Sequence, residues 1–186
     1  MEATPEVVKP DLSFLKQVEE TLGQKISPCF HCNKCSSGCP VTFAMDIFPN
    51  KVVRMVQMGM KDEVLRSSTI WLCASCETCT TRCPNEVDIS ALMDVLRGMA
   101  VREEVPVAEE SVPIFHSAFL SAVKKRGRVY EMGMLAKYKL KTRKRGGVFK
   151  DAGLGWEMFK RGKLRLLPVK VRQKNQVREI FQKSEG

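Results

Sequence analysis

Apolar residues recur along this chain at the spacing of an α-helix. After Asp88, which is placed to cap the first turn, they follow an i, i+3, i+4, i+7 pattern from Ile89 to Ala100. The same spacing predicts further helices: Leu12 to Leu22, Pro49 to Val56, Lys61 to Arg66, Ser111 to Val123, Tyr130 to Tyr138, Leu154 to Phe159 and Val177 to Phe181. Strand patterns are scarce, so the sequence predicts a mainly α protein.

Glycine, proline and polar residues predict where these helices stop. Asp11 is expected to cap the first helix and Gly23 to end it, while Gly127 should interrupt the chain after Val123. Residues 1–11 are interpreted as a flexible lead-in, and residues 143–147 as an exposed basic loop.

All eight cysteines fall into two copies of one motif, C-x2-C-x2-C-x3-C-P. The copies occupy the same register, and their cysteines are Cys29, Cys32, Cys35 and Cys39, then Cys73, Cys76, Cys79 and Cys83. Three cysteines at intervals of three wrap a tight loop around one [4Fe–4S] cluster, and the fourth, followed by proline, usually ligates the other cluster of such a pair. The motif therefore predicts two [4Fe–4S] clusters.

The crossed arrangement assigns four ligands to each cluster. Cluster 1 is predicted on Cys29, Cys32, Cys35 and Cys83, and cluster 2 on Cys73, Cys76, Cys79 and Cys39. Two structural zinc sites are the alternative, but zinc usually takes two C-x2–4-C pairs rather than three evenly stepped cysteines plus C-P. Disulfides are disfavoured because the chain begins without a secretory signal and clustered thiols in a reducing compartment indicate metal.

No catalytic residue is predicted, because the two motifs use every cysteine. His31 and His116 have no acid or nucleophile partner in the sequence and are interpreted as surface or packing residues. Trp71, Phe30, Met45 and Phe48 lie near the cysteines along the chain and are expected to form an apolar shell that excludes water. The sequence thus favours an electron carrier over an enzyme with its own substrate site.

Charge is distributed unevenly along the 186 residues. Residues 1–120 carry 11 Lys and Arg against 16 Asp and Glu, whereas residues 121–186 carry 20 against 5. A basic segment can bind nucleic acid or an acidic protein, and docking onto an acidic redox partner is favoured because no nucleic-acid motif is present. No apolar run reaches the roughly 18 residues that span a bilayer, so no membrane partner is expected. Nucleic acid is not expected as a partner either, and a cytoplasmic protein is predicted.

The chain resembles a known family in several segments beyond the cysteines. The duplicated motif around a helical insert resembles the α-helical ferredoxin domain of succinate dehydrogenase iron–sulfur subunits and heterodisulfide reductases. Other segments narrow the resemblance to the family of C-type subunits, the small iron–sulfur subunits of soluble CoB–CoM heterodisulfide reductases. These segments are Trp71 to Pro84, Val87 to Ala100, Gly127 to Glu131, Gly162 to Leu164, and Leu167 with Pro168.

The resemblance implies a function within a methanogenic complex. A C-type subunit would pass electrons from the flavin-bearing, A-type partner to the B-type partner, which reduces the CoM–CoB disulfide. A hydrogenase or formate dehydrogenase can be attached to this complex. The Cys-Cys-Gly repeats of the B-type partner are absent from this sequence. Two alternatives stay open: an iron–sulfur subunit of a quinone- or sulfur-linked oxidoreductase, and a zinc-stabilised nucleic-acid-binding protein.

These observations predict three segments. Residues 1–24 form the lead-in and first helix, residues 25–106 the α-helical ferredoxin domain with both clusters, and residues 107–186 a basic helical extension for partner docking.

Overall fold

The computed structural model of the chain describes residues 12–142, 152–163, 171 and 173–184. Within them the regular elements are all helical: α1 (Leu12–Leu22), α2 (Lys34–Ser37), a 3-10 turn (Thr42–Ala44), α3 (Pro49–Gln57), α4 (Lys61–Arg66), α5 (Thr69–Leu72), α6 (Thr78–Thr81), α7 (Ile89–Arg102), α8 (Ser111–Arg126), α9 (Glu131–Lys141), α10 (Ala152–Lys160) and α11 (Lys174–Ser184). The prediction of a mainly α fold is confirmed, since the described part of the chain contains no strand. The predicted lead-in, the Asp11 cap and the 143–147 loop lie outside the described residues.

Two compact units make up the chain, residues 1–109 and residues 110–186. The first unit contains both cysteine motifs and the second contains α8 to α11. The predicted division at residues 24 and 106, with a docking role for the extension, stays a prediction.

Helix α7 is the centre of the first unit. It contacts α1, α4, α5 and α6, and its apolar face is fully buried. The buried residues of this face are Ile89, Leu92, Met93, Leu96, Met99 and Ala100. As predicted, Asp88 caps the helix, because its Oδ1 accepts a hydrogen bond from the backbone N–H of Ala91 at 2.9 Å. The i, i+3, i+4 pattern thus positions α7 beneath the cysteine loops.

The second unit has a small core. Helices α8 and α9 pack together, and the buried residues of this pair are Ala118, Ala122 and Met134. Phe115 and Phe119, which the sequence places on the same face as Ala118, remain 38% and 39% exposed. Gly127 ends α8 with a φ of +79°, a conformation that favours glycine, as its predicted role requires.

Candidate iron–sulfur centre

Two cavities in the first unit are each lined by four cysteines. The first cavity, together with the solvent space at its mouth, measures about 310 Å³, and its cysteines are Cys29, Cys32, Cys35 and Cys83. The second cavity, measured in the same way, is about 360 Å³, and its cysteines are Cys39, Cys73, Cys76 and Cys79. Each cavity therefore takes three cysteines from one motif and the fourth from the other. None of these eight cysteines forms a disulfide.

Hydrogen bonds bring the end of the second motif against the start of the first. Gln24 donates from Nε2 to the carbonyl of Glu86 at 2.8 Å and accepts at Oε1 from the N–H of Asp88 at 3.0 Å. Asn85 donates its side-chain amide to the carbonyl of Pro28. Because these bonds join the residues beside Cys83 to those beside Cys29, both thiols face the first cavity.

Ile89, the first residue of α7, lines both cavities. It is 1% exposed, so a single apolar side chain contributes to the wall between the two groups of thiols. The arrangement therefore places the two cavities side by side at the N-terminal end of α7.

The two motifs also share a helix-capping device. Ser36 follows the third cysteine of the first motif, and its Oγ accepts the N–H of Asn50 at the start of α3 at 3.0 Å. Thr80 holds the same place in the second motif, and its Oγ1 accepts the N–H of Ser90 in the first turn of α7 at 3.3 Å. Each cysteine loop is thereby fixed to the N-terminus of a long helix, where unpaired backbone N–H groups need acceptors.

Backbone N–H groups point at two of the sulfur atoms. His31 N donates to Cys29 Sγ at 3.4 Å, and Val87 N donates to Cys83 Sγ at 3.3 Å. Such donors stabilise a thiolate and are typical of ligands to iron–sulfur clusters, whose potential they influence. Both bonds reach sulfur atoms of the first cavity.

The thiols differ in how easily they lose a proton. Burial raises the pKa of Cys35 and Cys79. Burial also raises the pKa of Cys73, although the Ser75 N–H and the Arg97 guanidinium oppose that shift. The Thr78 hydroxyl, by hydrogen bonding, lowers the pKa of Cys76, which is fully exposed. A raised pKa favours the protonated thiol, so metal binding at Cys35, Cys73 and Cys79 must release protons.

The donor set of each cavity fits a [4Fe–4S] cluster. Four thiols line a single concave space, which is the ligand number that such a cluster requires. Among the described residues, no three His, Cys, Asp or Glu side chains converge closely enough to hold a single metal ion. The thiols are instead distributed around the walls of each cavity.

The expected apolar shell is only half present. Trp71 and Met45 are buried, at 4% and 9% exposure, but Phe30 is 72% exposed and Phe48 is 45% exposed. Phe30 lines the first cavity but leaves most of its side chain exposed to solvent, and Phe48, just before α3, is nearly half exposed. That part of the prediction was wrong.

Sequence reasoning missed the contacts of His31. Its ring lies near Cys29, with 3.9 Å between Nδ1 and Sγ, and its Nε2 is 3.0 Å from Gln57 Oε1. No sequence pattern pairs His31 with Gln57, since 26 positions separate them. The hydroxyl residue after the third cysteine of each motif, by contrast, was a visible signal for the capping device.

Helices in the described residues are all too short or too polar to cross a bilayer. This finding covers residues 12–142, 152–163, 171 and 173–184.

Comparison with known proteins finds a family match along the part of the chain that contains both cysteine motifs. Residues 25–87 match the family described as "4Fe-4S dicluster domain". This match includes all eight cysteines, from Cys29 to Cys83.

Curated relatives share about half of the chain. The C-type subunit of H2:CoB–CoM heterodisulfide,ferredoxin reductase from Methanothermobacter marburgensis is 28% identical over 92 residues, which is 50% of each chain. The second C-type iron–sulfur subunit of CoB–CoM heterodisulfide reductase from Methanocaldococcus jannaschii is 31% identical over 114 residues, 61% of each chain. The C-type subunit of ferredoxin:CoB–CoM heterodisulfide reductase from Methanosarcina acetivorans is 34% identical over 88 residues, 47% of this chain and 34% of its own.

The chain spans about half the length of the curated relatives it matches. Residues 25–87 therefore match the 4Fe–4S dicluster domain family, and the chain is similar to the C-type iron–sulfur subunits of heterodisulfide reductases.

Proposed function

We propose that this chain is an electron-transfer subunit that holds two [4Fe–4S] clusters, one in each cavity. Cys29, Cys32, Cys35 and Cys83 are the proposed ligands in the first cavity, and Cys73, Cys76, Cys79 and Cys39 in the second. The observation that supports this most strongly is the division of the eight thiols into two groups of four, each drawn from both motifs. Such a division matches the ligand exchange between paired clusters in two-cluster ferredoxins.

Residues of this chain support the proposed electron transfer by holding the clusters, stabilising their negative charge and keeping them close together. A [4Fe–4S] cluster accepts and releases single electrons at a potential set by its surroundings. The thiolates hold the position of each cluster, while the N–H groups of His31 and Val87 stabilise negative charge on the ligating sulfurs. Ile89 borders both cavities, which keeps the two redox sites close to each other.

The partners are proposed from the relatives. Their names describe subunits of CoB–CoM heterodisulfide reductases. We infer that this chain carries electrons from a flavin-bearing, A-type partner to a disulfide-reducing, B-type partner in a cytoplasmic complex, to which a hydrogenase or formate dehydrogenase can supply electrons. The basic residues of positions 121–186 suit docking onto an acidic surface of such a partner.

Reconstitution of the complex tests this relay. The flavin-bearing and disulfide-reducing partners are mixed anaerobically with the iron-loaded chain, and oxidation of the reduced flavin is followed after addition of the CoM–CoB disulfide. Flavin oxidation is expected only when the chain is present, and it should be lost with Cys39→Ser. Equal oxidation without the chain would contradict the relay, and productive transfer to a quinone instead would favour the quinone-linked alternative.

A further inference from the structure

The second unit contains a groove between α8 and α9. Together with the solvent space at its mouth, this groove measures about 680 Å³, which is larger than either cysteine cavity. Among the described residues, those that line it belong to α8 and α9 alone. Helix α11 packs on another side of α8, where Lys124 Nζ lies 5.7 Å from the centre of the Phe181 ring. The groove is therefore a separate surface of the helix pair.

The floor of the groove is apolar. Ala118 and Ala122 contribute to it from α8, and Gly133 and Met134 contribute from α9. Ala118, Ala122 and Met134 are also the buried residues that form the small core of this unit. An apolar side chain placed in the groove would therefore extend that core.

Three cations form the rim of the groove. Lys125 and Arg126 lie one turn beyond Ala122 on α8, and Lys137 lies one turn beyond Gly133 on α9. None of the described residues that line the groove is acidic. The rim also belongs to the segment 121–186, in which 20 Lys and Arg stand against 5 Asp and Glu. Its charge is thus complementary to carboxylates.

Neutral contacts hold two of these cations without cancelling their charge. Lys137 Nζ donates to Ser121 Oγ at 2.6 Å, which joins α9 to α8. The Arg126 guanidinium lies over the Tyr130 ring, with 5.1 Å between Cζ and the ring centre. A side chain at Gly133 would overlap this ring, so the glycine leaves room for Tyr130 beside Arg126. Because these contacts restrict both cations in advance, they lose less side-chain entropy when a carboxylate binds.

The lining favours a protein segment over nucleic acid. Basic grooves that bind single-stranded nucleic acid present aromatic side chains, on which the bases stack. None of the described residues that line this groove is aromatic. An apolar floor beside a basic rim instead suits an amphipathic segment with acidic side chains.

We propose that the groove between α8 and α9 is the docking site for an acidic amphipathic segment of a partner protein. Its apolar side chains pack against the floor, and its carboxylates pair with Lys125, Arg126 and Lys137. This inference rests on the proposed function and deepens it, because it assigns one surface of the chain to the contact with the flavin-bearing or the disulfide-reducing partner.

Zero-length cross-linking tests the site on the unmodified chain. A carbodiimide joins a lysine amine to a carboxylate where the two groups are in contact. The full, iron-loaded chain is treated anaerobically with each purified partner, and the linked peptides are identified by mass spectrometry. Lys125 and Lys137 should be linked to one partner, whereas Lys160 and Lys183, which are exposed and lie outside the groove, should not.

A rim variant measures the contribution of the charges. It combines Lys125→Gln, Arg126→Gln and Lys137→Gln. Its Kd for the linked partner should rise about tenfold, as expected for the loss of three exposed ion pairs, and should depend less on salt. Biolayer interferometry at two ionic strengths measures both effects.

A control variant changes the net charge equally at exposed positions of the same unit outside the groove. It combines Lys160→Gln, Lys163→Gln and Lys183→Gln. Its Kd should change much less than that of the rim variant, because these lysines do not line the groove.

A substitution that fills the groove tests the floor without changing the charge. Ser121 is half-buried and lines the groove, so Ser121→Leu should raise the Kd several-fold by excluding the partner segment. Ala136→Leu adds a side chain of the same size at an exposed residue of α9 outside the groove and should leave the Kd unchanged.

Equal changes in the rim and control variants, an unchanged Kd in Ser121→Leu, or cross-links only at Lys160 and Lys183 would overturn the proposal. Binding of a single-stranded RNA oligonucleotide that the rim variant loses, with partner binding intact, would assign the groove to nucleic acid instead. Should a variant lose its helical circular dichroism, the cross-links decide. If neither partner binds the unmodified chain, the proposed function fails, whereas intact binding that the groove substitutions leave unchanged overturns the docking site alone.

Discussion

Cys39 and Cys73 line the same cavity, although they belong to different motifs. Burial is the main cause that raises the pKa of Cys73, and the charge of Cys39 adds to it, which reflects their proximity. A metal centre bound by both residues would connect the two motifs through its ligands. Loss of Cys39, a residue of the first motif, should then affect the cluster that the second motif holds.

Replacing Cys39 tests the crossed arrangement directly. Cys39→Ser should remove or alter the cluster signal that is also lost with Cys76→Ser, while Cys83→Ser should affect the signal lost with Cys32→Ser. The physical reason is that each fourth cysteine lines the cavity of the other motif. Electron paramagnetic resonance of the reduced chain measures both signals. If Cys39→Ser matched Cys32→Ser instead, each motif would bind its own cluster and the crossed assignment would be wrong.

The core beneath the cavities should depend on α7. Leu96→Ala removes a fully buried side chain and should lower the free energy of unfolding by about 2–5 kcal/mol. Val101→Ala on the same helix is the control, because Val101 is 60% exposed and its loss should cost much less. Urea unfolding monitored by circular dichroism compares the two. Similar losses for both variants would show that α7 is not the centre of this core.

Asp46 should contribute stability that depends on pH. Its Oδ1 accepts from Thr69 N at 3.0 Å and Thr69 Oγ1 at 2.7 Å, and its Oδ2 accepts from Ser68 N at 2.8 Å. Burial acts to raise the pKa of Asp46, but these hydrogen bonds outweigh it and lower the pKa overall. The stabilisation is therefore present above the pKa of the unfolded chain and is lost as pH falls through the lower folded pKa.

Asp46→Ala should accordingly lower the free energy of unfolding by about 1 kcal/mol at pH 7, because the N–H groups of Ser68 and Thr69 lose their hydrogen-bond acceptor. The difference from the unmodified chain should start to shrink as the pH falls below about 4, the ordinary pKa of an aspartate in the unfolded chain, and should vanish below the lower pKa of the folded carboxylate. Urea titrations of the metal-free chain across this range measure it, with Glu20→Ala, an exposed acid on α1, as control. A difference that grew with acidity would contradict the sign of this linkage.

Arg97 should stabilise the backbone at the start of the second cysteine loop. It donates from Nε to the carbonyl of Ile70 at 2.9 Å and from Nη2 to the carbonyl of Cys73 at 3.2 Å. Arg97→Met leaves both carbonyls without this donor and should lower the free energy of unfolding by about 1–3 kcal/mol. Iron retention by the second cavity should fall with it, as measured by iron content after gel filtration.

Arg102→Met provides the comparison for Arg97→Met, because Arg102 is an exposed residue of the same helix. It should leave stability and iron content nearly unchanged. An equal effect of the two substitutions would mean that the charge of α7, rather than the two carbonyl contacts, is responsible.

Local patterns predicted much of this fold. The apolar period of α7, the Asp88 cap and the Gly127 stop all depend on neighbouring residues, which sequence reasoning can evaluate. The cysteine spacing also separated the thiols into the two groups that line the two cavities. These features share one property, which is that their physical cause lies within a few residues along the chain.

Sequence patterns did not predict the features that depend on residues distant along the chain. The short helices α2 and α6 form where each cysteine loop closes, and their apolar content is too small to produce a period. The exposure of Phe30 and the contact between Gln57 and His31 depend on how separate segments pack. Composition near a cysteine therefore did not reveal which side chains face it.

The most direct measurement of the central claim is the metal and sulfide content of the chain after oxygen-free purification. Two clusters on eight thiolates predict about eight irons and eight acid-labile sulfides per chain, with a brown colour that bleaches on reduction. A chain that contains zinc without sulfide, or neither iron nor sulfide, would contradict the account.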